Sequence, residues 1–225
     1  MKAADVTLWI VRHGETEWNI QGRIQGHGDS PLTATGIAQA QALARLLAAQ
    51  HHDAAHADDV KIARVISSDA GRAHHTARIL AEGLKLPVAT TPSFRERSYG
   101  IAEGMTYAEI DTHYPGAFSK VHETDPDYCI PNGESRRAFH HRIVNALAVV
   151  CAHQQTLSPE LAQRPVLIVC HGGLLGAIYR WATDMPIATA ANIPIPNTGM
   201  NKIKIRAGNM DNGAEILAWG EVSHL

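Results

Sequence analysis

Three places in this chain put arginine, histidine, serine or glycine directly after a short apolar run. Arg12-His13-Gly14-Glu15 follows TLWIV at 7–11, Ser68-Asp69 with Arg72 follows RVIS at 64–67, and His171-Gly172-Gly173 follows VLIVC at 166–170. A neutral imidazole can attack phosphorus directly, which splits one difficult transfer into two displacements through a covalent intermediate. The transition states spread negative charge over the phosphoryl oxygens, so fixed cations and donors must ring the nucleophile. Arg12 and Arg72 carry the forked guanidinium that suits bidentate phosphate contacts, and their charge disfavours protonation of His13. His171, protonated or donating, would complete the pocket. Glycine after each histidine lets the backbone turn tightly and an anion approach the amides. Such chemistry requires no metal and no cofactor.

The three polar clusters need a frame that gathers them, and the patterning supplies one. Thr7 to Val11, Arg64 to Ser67 and Val166 to Cys170 read as strands buried on both faces. Thr33 or Thr35 can cap a helix to about Gln50, with Ile37, Ala40, Leu43, Ala44 and Leu47 on one side. A second helix starts at Asp69 or Gly71 and reaches about Gly83. A third opens at Ser135 and runs to about Gln155, with Phe139, Ile143, Ala146, Leu147 and Val150 as its buried stripe, and a fourth spans Gly173 to Trp181. Met200 to Ile205 and Glu215 to Trp219 predict a closing hairpin joined through Gly208 to Gly213. Strands alternating with helices imply a three-layer α/β/α sandwich around a mainly parallel sheet. In such sheets ligands collect at the carboxyl ends of the strands, where all three clusters fall. Residues from about Ile101 to Asn132 break the rhythm with Pro115, Pro126 and Pro131, and read as a lid or specificity insertion within a single domain of 225 residues.

Composition narrows the function class. With 45% hydrophobic and 19% charged residues the chain can bury a large core, and its net charge of -2 provides no field for nucleic acid or an acidic membrane. Three scattered cysteines, Cys129, Cys151 and Cys170, show no zinc or disulfide spacing, and a reducing cytoplasm is the expected setting. Self-association into a homodimer is left open. Among 14 histidines the pairs 51-52, 74-75 and 140-141 fall on expected surface helices, where adjacent side chains diverge, so no metal site is expected there. Arg136 and Arg137 read as a solvated helix face and Cys170 as a buried strand residue.

The stretch VRHGETEWNIQGRIQGHGDSPLTATG, followed in order by SSDAGRAHHTA, FRERSYGIAEG, NGES and VCHGG, resembles the histidine phosphatase (phosphoglycerate mutase-like) superfamily. NTGMNKIKI and the last HL are similar as well. The resemblance implies that His13 is the nucleophile and that Arg12, Arg72 and His171 bind the phosphoryl group. It makes Asn19, Gln25 and the amides of Gly26 and Gly172 further phosphate contacts, and Glu96 the acid that protonates the leaving oxygen. Tyr99 matches a substrate-side tyrosine of mutase members. Ala102-Glu103-Gly104 departs from the tryptophan-bearing WEG of many phosphatases, so Glu103 carries no assigned role.

Mutase members have a longer segment after the acid motif, with a lysine and paired arginines for a second anionic group. Here Tyr107 stands in the lysine's place and no Arg-Arg pair lies between Glu103 and Glu134; Lys120 is the basic residue there besides His113 and His122. Tyr114, Phe118 and Tyr128 supply apolar surface. The expected activity is therefore metal-independent hydrolysis of small phosphorylated metabolites, closest to the broad-specificity phosphatase branch. The alternatives are a 2,3-bisphosphoglycerate-dependent phosphoglycerate mutase, a non-catalytic phosphate-binding module and a histidine-rich metal binder.

Overall fold

Strand β1 (Val6–Arg12) shows how the layers arise. Val6, Leu8 and Ile10 are buried in one apolar cluster, while Trp9 and Val11 are buried in another, as the two-residue period of a strand covered on both faces demands. β4 (Val166–Cys170) repeats the division, with Val166, Ile168 and Cys170 on the first face and Leu167 and Val169 on the second. The computed structural model describes residues 4–53, 61–116, 125–208, 210 and 213–225. Phe118, Lys120 and His122 of the expected lid lie outside them.

Helices α2 (Ala34–His52) and α3 (Gly71–Leu84) cover the Trp9 face through Leu43, Leu47, Ala77 and Leu80. The helix Arg136–Gln154, here α5, and Gly172–Ala182, here α7, cover the other through Phe139, Ile143, Leu147, Leu174 and Ile178. Short helices complete the set: α1 (Glu17–Ile20), α4 (Tyr107–His113) and α6 (Pro159–Gln163). With β2 (Arg64–Ser68), β3 (Val88–Thr91), β5 (Met200–Ile205) and β6 (Glu215–Glu221), the sheet order is β3-β2-β4-β1-β5-β6. The first four are parallel, and β5 and β6 add antiparallel as the expected hairpin.

Thr33 caps α2 by accepting the Gly36 amide, and Ser135 caps α5 by accepting that of Ala138, so both expected starts hold. The patterning missed β3: as an edge strand it buries none of its four residues fully and lacks an apolar run. In the 101–132 region the described residues form a 3-10 turn at Gly100–Ala102 and α4, pinned rather than loose, because Thr106 and Glu109 make a reciprocal capping box. Among the described residues no helix is long and apolar enough to cross a membrane.

Candidate active site

Register assembles the site. Arg12 pairs with Cys170 across β1 and β4, and the His13 amide donates to the Cys170 carbonyl at 2.9 Å, so the two residues that follow these strands are neighbours. The rings of His13 and His171 meet edge to face with centroids 5.4 Å apart. β4 also lies beside β2, which brings Ser68 to within 2.9 Å of His171 Nε2. The RHG turn is clamped from outside. Gly14 donates to Thr76 Oγ1 at 3.0 Å, and a Cβ on Gly14 would come within 2.4 Å of the Gly36 carbonyl oxygen at the start of α2.

His13 is 3% exposed, and its Nδ1 lies 2.8 Å from the Gly14 carbonyl. A carbonyl only accepts, so Nδ1 carries the proton and Nε2 keeps its lone pair. Burial, then the charges of Arg72 and Arg12, hold the ring's pKa well below the usual histidine value. His171 is depressed in the same way, by burial first and then by Arg72, His13 and Arg12. Ser68 Oγ accepts the Ala70 amide at 3.3 Å and lies against His171 Nε2, so the ring's remaining polar atom is Nδ1. That Nδ1 is buried and has no partner among the described residues.

These two rings make acid instability a measurable property. An unfolded chain protonates both near pH 6.5, whereas the folded chain resists until well below it, so between those limits the unfolded state binds more protons. Stability should therefore fall as pH drops below about 6.5, by up to about 1.4 kcal/mol per pH unit for each ring. Urea unfolding at pH 7.5 and 5.5 reads this directly; equal stability at both would mean that the rings ionise inside the fold.

Arg72 is 1% exposed and mostly committed to protein. Nη1 donates to the Gly28 carbonyl at 2.7 Å and to Asp29 Oδ1 at 3.1 Å, and Nη2 donates to the Gly26 carbonyl at 2.8 Å. Asp29 also accepts the Arg72 amide, sealing the start of α3. Arg12 anchors through Nη1 on the Ile195 carbonyl at 2.8 Å. The Nε atoms of both arginines are buried without a partner among the described residues. Buried donors are almost always paired, so these unmet ones are donors that an anion could fill.

Glu103, which the motif left without a role, holds the loop that Arg72 grips. Its Oε1 accepts the amides of His27 and Tyr99, both at 2.9 Å, and the Ser98 hydroxyl, while Oε2 accepts the Gly28 amide at 2.9 Å. Gly26, at φ 54°, passes so close that a Cβ there would overlap the Glu103 carboxylate. Glu96 sits on the start of α7: Oε2 accepts the Gly173 amide and Oε1 the Arg97 amide, each at 2.7 Å. The second glycine of HGG is thereby explained, since a Cβ on Gly173 would meet that carboxylate at 2.3 Å.

A cavity of about 250 Å³ is lined by Arg12, His13, Asn19, Gln25, Gly26, Arg72, Glu96, Tyr99 and Gly172, together with Arg23, Ile24, Tyr107 and Gly173. His171, expected to bind the phosphoryl group, is buried against His13 and is not on this lining. Asn19 spends Oδ1 on the Thr16 amide in the capping box of α1, so its NH2 is the part that can serve an anion. Gln25 donates one Nε2 hydrogen to Thr16 Oγ1 at 2.8 Å, which leaves the second hydrogen of its NH2 as the part that can serve an anion. Arg136 is not a solvated residue as expected: it is half-buried and donates to the Ile187 and Ala188 carbonyls, whereas Arg137 pairs with Asp127 at the surface. Sequence reasoning named no role for Asn197, whose Nδ2 donates to the His13 carbonyl at 2.9 Å. Thr198 beside it is held at φ 54°, a costly conformation for a β-branched residue, by its amide on the Arg12 carbonyl and its hydroxyl against His224. Among the described residues no three His, Cys, Asp or Glu side chains gather as a metal site would require.

An uncharged imidazole set among guanidinium groups at the ends of parallel strands has the chemistry that phosphoryl transfer requires. The chain belongs to the histidine phosphatase superfamily, branch 1, whose profile matches residues 8–217. A relative from Proteus mirabilis (strain HI4320), a probable phosphoglycerate mutase GpmB, is 33% identical over 219 residues, 97% of this chain and 94% of its own length. Among solved structures, mycobacterial glucosyl-3-phosphoglycerate phosphatase superposes with a TM-score of 0.77 at 28% identity, spanning 96% of this chain and 98% of that one. The α-ribazole phosphatase of Shigella flexneri does so with a TM-score of 0.78 at 29% identity, spanning 96% and 97%.

Proposed function

We propose that this protein hydrolyses small phosphomonoesters through a phosphohistidine on His13, without a metal. The observation that carries the reading is the His13 tautomer: Nδ1 is committed to Gly14, which leaves Nε2 as a neutral nucleophile beside Arg12 and Arg72. In the first displacement Nε2 attacks phosphorus, the P–O bond to the leaving group breaks, and Arg12 and Arg72 hold the phosphoryl oxygens. Glu96, the one carboxylate lining the cavity among the described residues, gives its proton to the departing oxygen. In the second, Glu96 takes a proton from water, the water oxygen attacks phosphorus, the P–N bond breaks and His13 is restored.

The two phosphatase neighbours favour hydrolysis, whereas the name of the Proteus relative points to a mutase. Tyr107 on the cavity wall, in place of a cation for a second anionic group, weighs toward hydrolysis. The experiment is phosphate release from p-nitrophenyl phosphate in excess EDTA, run beside conversion of 3-phosphoglycerate primed with 2,3-bisphosphoglycerate. Sustained release that ignores EDTA is expected; isomerisation faster than hydrolysis would replace this reading with the mutase.

A further inference from the structure

The cavity lining is of two chemical kinds. Arg12, His13, Arg72, Glu96 and the start of α7 form the phosphoryl cradle, and Ile24, Tyr99 and Tyr107 form a wall without charge. Arg23, which also lines the cavity, is drawn toward α4 in an ion pair: its Nη1 donates to Glu109 Oε2 at 2.6 Å and to the Gly104 carbonyl at 2.8 Å, and its Nε to Gln21. A cation beside Tyr99 is buried in protein contacts. Arg97 is 6% exposed, lies over the Tyr99 ring at 5.4 Å and spends its donors on the Glu134 and Tyr128 carbonyls.

This wall is built before any substrate arrives. The Ile24 amide donates to the Met105 carbonyl at 2.9 Å and the Gly104 amide to the Ile24 carbonyl at 2.8 Å, while Arg23 and Thr106 form a bridge. Thr106 is the residue that caps α4, and Tyr107 is that helix's first residue. Tyr107, 53% exposed, therefore stands at the mouth on a fixed backbone, with Ile24 from the paired segment beside it. Tyr99 lines the same cavity.

Resting on the phosphatase reading above, we infer that the site selects phosphate esters of neutral ring alcohols, sugars or aryl carbinols, held against Tyr107, Tyr99 and Ile24. Aromatic walls take sugar C–H faces and aryl rings by area and ring polarity, and they offer a carboxylate or a second phosphate nothing to offset its desolvation. A cavity of about 250 Å³ holds the phosphoryl group and the near part of such a ring, with the remainder leaving through the mouth past Tyr107.

The test compares four primary alkyl phosphates of similar leaving-group basicity: ribose 5-phosphate and benzyl phosphate against glycerol 3-phosphate and 3-phosphoglycerate. The ring esters are expected to have the higher kcat/KM, with 3-phosphoglycerate the poorest. In Tyr107→Ala the ring-to-open-chain ratio should fall about 3- to 10-fold, mainly through KM, and Tyr107→Phe should restore it. A wild-type ratio near unity, 3-phosphoglycerate as the best substrate, or an equal loss on all four esters in Tyr107→Ala would overturn the inference and leave the phosphatase reading standing. Absence of phosphate release from every ester by folded protein would instead overturn the phosphatase reading and this inference with it.

Discussion

Replacing His13 with alanine is expected to lower phosphate release by on the order of 10⁴-fold or more, the scale seen when a covalent nucleophile is removed. No neighbour can take over. His171 is the nearest imidazole, but its Nε2 is occupied by Ser68 and its ring is buried off the cavity lining. The variant should fold, because His13 makes one side-chain hydrogen bond, to Gly14, worth about 1 kcal/mol against a usual margin of roughly 5–15 kcal/mol. It should still bind inorganic phosphate, since Arg12 and Arg72 remain. Phosphoenzyme trapping separates chemistry from binding: label from substrate quenched in alkali should reside on His13 in the wild type and be missing from the variant. Activity within tenfold of wild type, or a label on another residue, would exclude the phosphohistidine route.

Much of this arrangement could be read from the sequence, for a physical reason. β1, β2 and β4 are interior strands, so burial on both faces gives each a short apolar stretch, and the polar residue ending it falls at the carboxyl end of the sheet, where ligands gather. Helices α2 and α5 announced themselves through capping residues and one apolar stripe. β3 could not do so, because an edge strand with exposed residues has no burial to encode. Glu103 was illegible for a different reason: two of its oxygens' four donors are amides of His27 and Gly28, more than 70 positions away, and amides have no residue type. Arg136 and Asn197 likewise bond to backbone carbonyls, so their roles depend on where the 186–198 segment runs and not on any spacing in the sequence. The motif residues are thus the ones that would touch a ligand, and the residues that aim them are distinguished mainly by backbone partners.

Arg72 joins those two groups, and its substitution is the second large effect expected. Its Nε is the unmet donor, while Nη1 and Nη2 pull the Gly26 and Gly28 carbonyls into place, so Arg72→Ala removes a phosphoryl contact and releases the loop that Glu103 holds from the other side. Loss of one preorganised donor of this kind costs about 10²- to 10³-fold in kcat, and loop release should raise KM in addition. Arg72→Lys is the informative comparison. It keeps the charge but has no planar fork to reach two carbonyls and a phosphoryl oxygen at once, so it should recover only a small part of the rate. Asp29→Asn should be milder, a few-fold in KM, because the Asp29 side chain is 45% exposed and such a half-solvated ion pair contributes roughly 0–1 kcal/mol. Thermal unfolding checks the fold of each variant, and inhibition by phosphate reports the cradle apart from turnover. If Arg72→Lys matched wild type in kcat and in phosphate inhibition, the geometry of the fork would be irrelevant and a point charge at that position would suffice.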